Sequence, residues 1–180
     1  PGDLEDYFQL VQEHDGFMGG FVWEWCDHAI WRGTDDRGRD VWAFGGDSGE
    51  FPDDGNFSCD GLVYPDRRPH TGLLEHKNVW RPVRVTGFDQ ETGTLELRNY
   101  MDFTDVSCAI DLLCRVRLDG SEVAQVSVRA CELPSIAPHG RGCVEVPGLA
   151  DAVRGLPAHG KATLTVHAVT AAAGDVLPAG

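Results

Sequence analysis

The run GGFVWEW at residues 19–25 is the most informative stretch of this 180-residue sequence. A short apolar run after two glycines is typical of a β-strand that is buried on both faces of a parallel sheet. Residues two apart on a strand share a face, so Trp23 and Trp25 should point the same way. At the carboxyl end of a barrel strand, a tryptophan can form a flat platform for a sugar ring. Core packing explains both tryptophans equally well, and the two interpretations stay open.

Helical patterns lie on both sides of this strand. After Asp3, which can cap a helix, apolar residues recur at helical spacing: Leu4, Tyr7, Phe8, Leu10 and Val11. A second helix is predicted near residues 69–80. Residues 33–69 contain many Gly, Asp and Pro and show little periodicity, which predicts one long loop. Such a loop is uncommon inside a compact domain unless it carries function.

From residue 83 onward the hydrophobic period changes to two. Turn-forming residues separate six candidate strands: Val83–Phe88, Thr94–Tyr100, Cys108–Leu118, Val123–Arg129, Gly142–Val146 and Ala162–Val169. Several short strands at this spacing predict an antiparallel β-sandwich. The single strand of the first part cannot close a parallel sheet, so we expect its partner strands to precede Pro1 in a longer polypeptide. The predicted domains are residues 1–82 and 83–180.

The composition excludes several classes of partner. Twenty-nine acidic residues against 15 Lys and Arg give a net charge of −14, and such a chain repels nucleic acid and anionic membranes. No apolar run approaches the ~20 residues that cross a bilayer. The amino terminus lacks the basic region of a signal peptide. We therefore expect no nucleic acid or membrane partner and a cytoplasmic location.

The cysteines and histidines show no metal-binding spacing. The six cysteines form no C-x-x-C pair, and we expect them to be reduced and mostly buried. The seven histidines form no H-x-x-x-H or H-E-x-x-H pattern, which favours ordinary structural or surface roles. Gly46-Asp47-Ser48-Gly49 misses the G-x-S-x-G pattern of a serine hydrolase.

Acidic side chains are the remaining candidates for chemistry. A two-carboxylate glycosidase site could draw on seven of them: Glu24, Asp27, Asp47, Glu50, Asp53, Asp54 and Asp60. Glu24 lies between two tryptophans, where a carboxylate would be partly desolvated. The alternative for Glu24 is a paired, structural carboxylate. For Asp53 and Asp54 the simpler interpretation is a solvated turn.

Short motifs follow GGFVWEW in a fixed order along the chain. They are Gly45-Gly46-Asp47, Asn56-Phe57, Asp60-Gly61-Leu62-Val63, Asp66-Arg67, Pro69-His70, Glu75 and Lys77. Together they resemble the large bacterial β-galactosidases of glycoside hydrolase family 2. The motif-rich resemblance covers roughly residues 1–85, and residues 86–180 resemble the β-sandwich that follows the barrel in that family. The long loop favours β-galactosidases over the related β-glucuronidases.

The resemblance implies an α/β part followed by an all-β part. Residues 1–82 would be the C-terminal part of a (β/α)8 TIM barrel, with residues 20–25 as its eighth strand and residues 69–80 as its closing helix. Residues 83–180 would form an incomplete immunoglobulin-like antiparallel β-sandwich. Its last strand would be missing, because residues 177–180 resemble a loop between strands.

The resemblance also assigns roles to three residues. Trp23 matches a tryptophan that stacks on the sugar, and the Trp23–Glu24 peptide bond is expected to be cis. Phe57 matches a phenylalanine of a mobile loop, here residues 50–57, whose backbone carbonyl contacts a sodium ion. Asp60 stands where the family often has an Asn as a sodium ligand near the galactose 6-hydroxyl group. A carboxylate also suits a hard cation.

No catalytic residue is expected within this chain. In the family both catalytic glutamates lie earlier, the nucleophile in a C-E-Y-x-H-A-M-G-N motif that does not occur here. The magnesium ligands would also lie outside this chain. The longer polypeptide would hydrolyse β-galactosides as a homo-oligomer, and the remainder of that polypeptide would be this segment's main partner. The alternatives are a family 2 hydrolase of another β-glycoside, and a non-catalytic carbohydrate-binding or interaction module built on residues 86–180.

Overall fold

The computed structural model describes residues 2–172. The chain divides into two compact units with the boundary between Trp80 and Arg81, two residues before the boundary predicted from the sequence. The predicted interstrand loop at residues 177–180 lies outside the described residues. No described helix is both long and apolar enough to pass through a membrane.

The first unit contains two helices and a β-hairpin. Helix α1 spans Leu4–Glu13 and helix α2 spans Thr71–Val79, both close to the predicted ranges. Strands β1 (Ile30–Thr34) and β2 (Asp40–Ala43) pair antiparallel, and a 3-10 helix covers Gly55–Ser58. The ring of Phe8 in α1 meets Trp80 edge to face at 5.3 Å, which packs the two helices together.

Two local predictions for this unit are wrong. Asp3 has a φ of 62° and its side chain makes no capping hydrogen bond; its backbone carbonyl accepts the N–H of Tyr7 instead. Residues 33–69 are not one loop, because they contain β2 and the end of β1. The carboxylate of Asp35 accepts the backbone N–H groups of Arg37 and Arg39, each at 2.9 Å, and this closes the hairpin turn.

The predicted buried strand at residues 20–25 is also wrong for the part of the chain that is described. The segment belongs to no assigned strand, and Phe21, Trp23 and Trp25 are exposed. Its backbone pairs on one edge only, where Glu24 and Trp25 accept hydrogen bonds from residues 62 and 63. Most side chains of this segment are exposed within the described residues, whereas Glu24 is largely buried.

The second unit confirms all six predicted strands. They are β3 (Val83–Asp89), β4 (Thr94–Asn99), β5 (Ile110–Leu118), β6 (Ser121–Val128), β7 (Arg141–Glu145) and β8 (Ala162–Thr170). They form two antiparallel sheets, ordered β3-β4-β7 and β6-β5-β8. Two short helices join them, α3 (Val106–Ala109) and α4 (Leu149–Arg154), together with a 3-10 helix at Ala130–Glu132. The immunoglobulin-like character of this unit stays a prediction.

Period-two patterning builds the core between these sheets. Leu95 and Leu97 of β4 are buried, and so are Leu112, Cys114 and Val116 of β5. One cluster of buried residues takes members from both sheets. Since residues two apart on a strand share a face, this alternation assigns one side of each sheet to the core.

Buried Asn99 is a polar group in this core, and its hydrogen bonds are satisfied. Its Nδ2 donates to the carbonyls of Thr104 and Ile136, both at 2.9 Å, and its Oδ1 accepts the N–H of Met101 at 2.9 Å. A buried amide with these partners avoids the desolvation penalty of an unpaired polar group. Through these hydrogen bonds Asn99 links the connection that follows β4 with the segment that precedes β7.

The prediction that the cysteines are mostly buried is wrong. All six are free, but only Cys114 is buried, Cys26 is half-buried, and the other four are exposed: Cys59, Cys108, Cys131 and Cys143. Cys114 points inward from the central strand β5, and burial raises the pKa of its thiol to about 11. Of the exposed cysteines, Cys59 lies in a loop, Cys108 and Cys131 lie in short helical segments, and Cys143 occupies an outward position of strand β7.

Asp105 makes the second unit sensitive to acid. Its carboxylate accepts hydrogen bonds from the Ser135 hydroxyl, the Ser107 hydroxyl and N–H, and the Ile136 N–H, and these lower its pKa to about 2. A pKa depressed in the folded state gives stability that is complete above the unfolded value of about 3.9 and is lost as the pH falls towards 2.

We expect the Asp105→Asn variant to be less stable than the wild type at pH 6 and to lose less stability between pH 4 and 2. The free energy of unfolding is measured by urea titration at several pH values, with hydrogen exchange within residues 81–172 as the probe. The control is Asp151→Asn, because Asp151 forms only an exposed pair with Arg154. An equal pH dependence in the wild type and Asp105→Asn would contradict the assignment.

Candidate functional site

Two backbone segments of the first unit lie side by side and form the frame of the site. The N–H groups of Leu62 and Val63 donate to the carbonyls of Glu24 and Trp25, at 2.8 and 3.0 Å. Further along, Asp27 N–H donates to Val63, and Cys26 and Val63 form a parallel bridge. This pairing places the segment after Trp23 beside the segment that carries Asp60.

Gly61 allows these two segments to approach closely. A Cβ atom at this position would lie 2.3 Å from the backbone nitrogen of Asp27 and 2.4 Å from the carbonyl carbon of Cys26. Both neighbours are backbone atoms, so neither can turn aside as a side chain could. Gly61 is therefore required for the contact between the segments.

The buried carboxylate of Asp27 holds the two segments together at Gly61. Asp27 is 7% exposed; its Oδ1 accepts the N–H of Gly61 at 2.8 Å, and its Oδ2 lies 2.8 Å from Nε2 of His70. The His70 ring stacks on Tyr64 with a centroid distance of 3.6 Å. His70 also donates its backbone N–H to Leu62, which anchors the start of α2 to this segment.

The three residues predicted for the site lie on these segments and on the loop before them. Trp23 is 77% exposed, and Phe57 is 71% exposed on the 3-10 helix. Asp60 is half-buried and immediately precedes Gly61. The backbone pairing brings the segments of Trp23 and Asp60 together, and the carbonyl of Ser58, next to Phe57, accepts the N–H of His28 at 2.8 Å.

Asp60 carries a carboxylate oxygen that could accept a cation. Its Oδ1 is buried and has no hydrogen-bond partner among the described residues. An unsatisfied buried carboxylate oxygen is costly unless a cation or another donor meets it. Asp60 lines a cavity of about 380 Å³ whose other lining residues include Val22, His70 and His76. A hard cation such as sodium, which prefers oxygen ligands, fits this donor.

The acids of the 40s and 50s loops hold the loops' own backbone. Asp47 accepts the N–H of Phe44, and Asp53 accepts the N–H of Gly55, each at 2.9 Å. Glu50 accepts the N–H groups of residues 46 and 48. Hydrogen bonds from its own N–H and from these two groups lower the pKa of the Glu50 carboxyl, which suits a structural carboxylate and not a proton donor.

Glu24 is paired, as the structural alternative predicted. Its Oε2 lies 3.0 Å from Nε2 of His28, four residues further along the sequence. Its side chain is mostly buried, whereas the His28 side chain is mostly exposed. The Glu24 carboxylate, which lies between the two tryptophans in the sequence, is therefore engaged by His28.

The backbone at Trp23 has the geometry that the resemblance implied. The Trp23–Glu24 peptide bond is cis, and so is Phe51–Pro52 in the loop. The cis form is rare for a bond that does not involve proline. A cis bond was expected at Trp23–Glu24, and the expectation is confirmed.

Comparison with known proteins agrees with this geometry. Residues 1–85 match the family described as glycosyl hydrolases family 2, TIM barrel domain. This part of the chain belongs to glycosyl hydrolase family 2. The family 2 match contains α1, the paired segments at residues 24–27 and 61–63, and α2.

Several proteins named beta-galactosidase match a longer part of the chain. A protein named beta-galactosidase from Actinobacillus pleuropneumoniae is 52% identical over 106 residues, which is 59% of this chain and 10% of the relative. One from Staphylococcus xylosus is 50% identical over 103 residues, covering 57% and 10% of the two chains. One from Vibrio cholerae is 34% identical over 149 residues, covering 82% and 14%. The matched part of the chain thus spans about a tenth of the length of these curated relatives.

Sequence reasoning missed the pairing of Asp27 with His70. The two residues lie 43 positions apart, and neither belongs to a local metal or catalytic pattern. One signal was present: Asp27 lies two residues after the apolar run, and His70 belongs to the Pro69-His70 motif of the family 2 resemblance. The sequence predicts residues 20–25 as a barrel strand and residues 69–80 as a later helix, and in such a barrel the end of a strand and the start of the next helix lie at the same face.

Proposed function

We propose that this chain is a segment of a retaining β-galactosidase that hydrolyses terminal β-D-galactosides such as lactose. The observation that carries the proposal is the identity of 50% or more, over more than 100 residues, with two proteins named beta-galactosidase. In a retaining mechanism one carboxylic acid protonates the leaving oxygen, a second carboxylate forms a glycosyl-enzyme, and water then releases the sugar.

The segment's part in that reaction is to bind and orient the sugar. Trp23 is the stacking platform, and its exposed ring supports this role. Residues 50–57 form the mobile loop, ending at the exposed Phe57. The Phe57 carbonyl and the Asp60 carboxylate hold sodium, which when bound supplies a positive charge close to the galactose 6-hydroxyl group. The unsatisfied Oδ1 of Asp60 supports this assignment.

The catalytic carboxylates lie elsewhere in the longer polypeptide. No C-E-Y-x-H-A-M-G-N motif occurs in these 180 residues. Local hydrogen bonds or ion pairs engage most of the candidate acids, including Glu24, Asp27 and Glu50. We place the magnesium ligands outside this segment as well, and we propose that the complete enzyme is a homo-oligomer.

The sodium role of Asp60 is tested with Asp60→Ala in the longer polypeptide. We expect the sodium concentration for half-maximal activity on an aryl β-galactoside to rise at least tenfold, because the variant loses a charged oxygen ligand. Asp60→Asn keeps an oxygen ligand, so its sodium concentration for half-maximal activity should lie between those of Asp60→Ala and the wild type. Unchanged sodium dependence in Asp60→Ala would contradict the assignment.

The binding-module alternative for the second unit has less support. Tyr100 is one of its few aromatic side chains, and the guanidinium groups of Arg84 and Arg98 lie over its ring, 5.4 and 4.9 Å from the centroid. A ring occupied by cations is not a free platform for a sugar. The other alternative, hydrolysis of a different β-glycoside, is tested by screening the longer polypeptide against several aryl glycosides.

A further inference from the structure

We propose that Asp27 and His70 are positioning residues for the cation site at Asp60. This inference rests on the proposed function and adds two residues to it. Neither residue is expected to touch the cation. They act through the backbone of the two residues that follow Asp60.

The contacts show how the pair would act. Asp27 Oδ1 accepts the N–H of Gly61, and the backbone N–H of His70 donates to the carbonyl of Leu62 at 3.0 Å. Asp27 Oδ2 and His70 Nε2, 2.8 Å apart, join these two attachments. The Gly61 N–H and the Leu62 carbonyl are therefore both held by one pair, the buried Asp27 and the half-buried His70.

The pair is also fixed on its outer side. The His70 ring stacks on Tyr64, and the Tyr64 N–H donates to Arg68 in the same turn. A side chain held by stacking and by a buried partner has little rotational freedom left. This arrangement can hold the Asp60 carboxylate in one orientation, with Oδ1 kept buried and without a protein partner.

Residues that orient a metal ligand contribute measurably to affinity. Loss of a hydrogen-bond partner behind a ligand typically weakens metal binding by about 10- to 100-fold. The cost arises because the ligand must be ordered when the metal binds, instead of beforehand. A positioning role therefore predicts weaker cation binding even though every ligand atom is still present.

The experiment measures sodium binding by the longer polypeptide through sodium NMR line broadening, at constant ionic strength with choline chloride. Asp27→Ala should raise the sodium dissociation constant by about 10- to 100-fold. Asp27→Asn keeps an acceptor for the Gly61 N–H and should lose less sodium affinity than Asp27→Ala. His70→Phe keeps the ring on Tyr64 but loses the contact to Asp27, and should also bind sodium more weakly than the wild type.

A matched control lies in the second unit. His139 pairs with Asp102 at 2.9 Å, and both side chains are exposed. His139→Phe should leave sodium binding unchanged. The kinetic readout separates positioning from general damage: saturating sodium should restore most of kcat in Asp27→Asn and His70→Phe, since their ligand atoms are intact.

The outcomes are distinguishable. Wild-type sodium affinity in a folded Asp27→Ala or, if that variant does not fold, in His70→Phe would overturn the inference. Failure of added sodium to restore kcat in both milder variants would also overturn it. Absence of sodium binding in the wild type would instead show that the proposed sodium site is wrong, and the inference would fall with it.

Discussion

Replacing Trp23 by Ala in the longer polypeptide is expected to lower kcat/KM for an aryl β-galactoside by about 30- to 1000-fold. Truncation of an aromatic anchor commonly costs about 2–4 kcal/mol of binding free energy. Each 1.36 kcal/mol corresponds to a tenfold change in rate. Steady-state kinetics with two aglycones measure the effect, and a similar loss for both would place it at the galactose and not at the leaving group.

Matched variants decide whether the effect belongs to stacking. Trp23→Phe keeps an aromatic face and should recover a large part of the loss. Trp31→Ala is the control, because Trp31 is also an exposed tryptophan of the first unit, held on the hairpin by a 2.9 Å hydrogen bond to Asp40. If Trp23→Ala and Trp31→Ala have the same kinetics, Trp23 is not the sugar platform.

Gly61→Ala should separate the two segments that frame the site. The added methyl would lie 2.3 Å from the Asp27 nitrogen, so the backbone must move. Overpacking of this kind costs about 1–3 kcal/mol or more. Because the same movement breaks the Gly61–Asp27 hydrogen bond, we expect a lower midpoint of thermal unfolding and a higher sodium concentration for half-maximal activity.

Gly16→Ala provides the control for Gly61→Ala. A Cβ at Gly16 meets no described atom within 4 Å, and its backbone does not need the left-handed region. This variant should keep both the unfolding midpoint and the activity of the wild type. A Gly61→Ala protein with normal stability would show that residues 24–27 and 61–63 do not pair as closely as described.

The sequence predicts the second unit well because its signal is local. Residues such as Leu95, Leu97, Leu112 and Val116 alternate with polar neighbours, and the pleat of a strand turns that period directly into a buried face. Glycine-containing turns then mark where strands end. The two helices of the first unit are predictable for the same reason, since their apolar residues recur at helical spacing.

The rest of the first unit, including the candidate site, depends on contacts between residues that no local sequence pattern reveals. The β1–β2 hairpin shows no alternation, because most of its residues are exposed, including Trp31. The apolar run at residues 20–25 predicts burial on two faces, yet the described residues provide one paired edge. The Asp27–His70 pair joins residues 43 positions apart. Its existence follows from the fold, not from either neighbourhood in the sequence.

The most direct test is hydrolysis of a chromogenic β-galactoside by the purified 180-residue chain beside the longer polypeptide. We predict rapid hydrolysis by the longer polypeptide and none by the chain alone, because in the proposed function this segment binds the sugar and a cation and the catalytic glutamates lie elsewhere. Hydrolysis by the purified chain would contradict that account and would make Glu24 and the acids of residues 50–60 candidates for catalysis. A longer polypeptide that cleaves another β-glycoside and not the β-galactoside would contradict the proposed substrate.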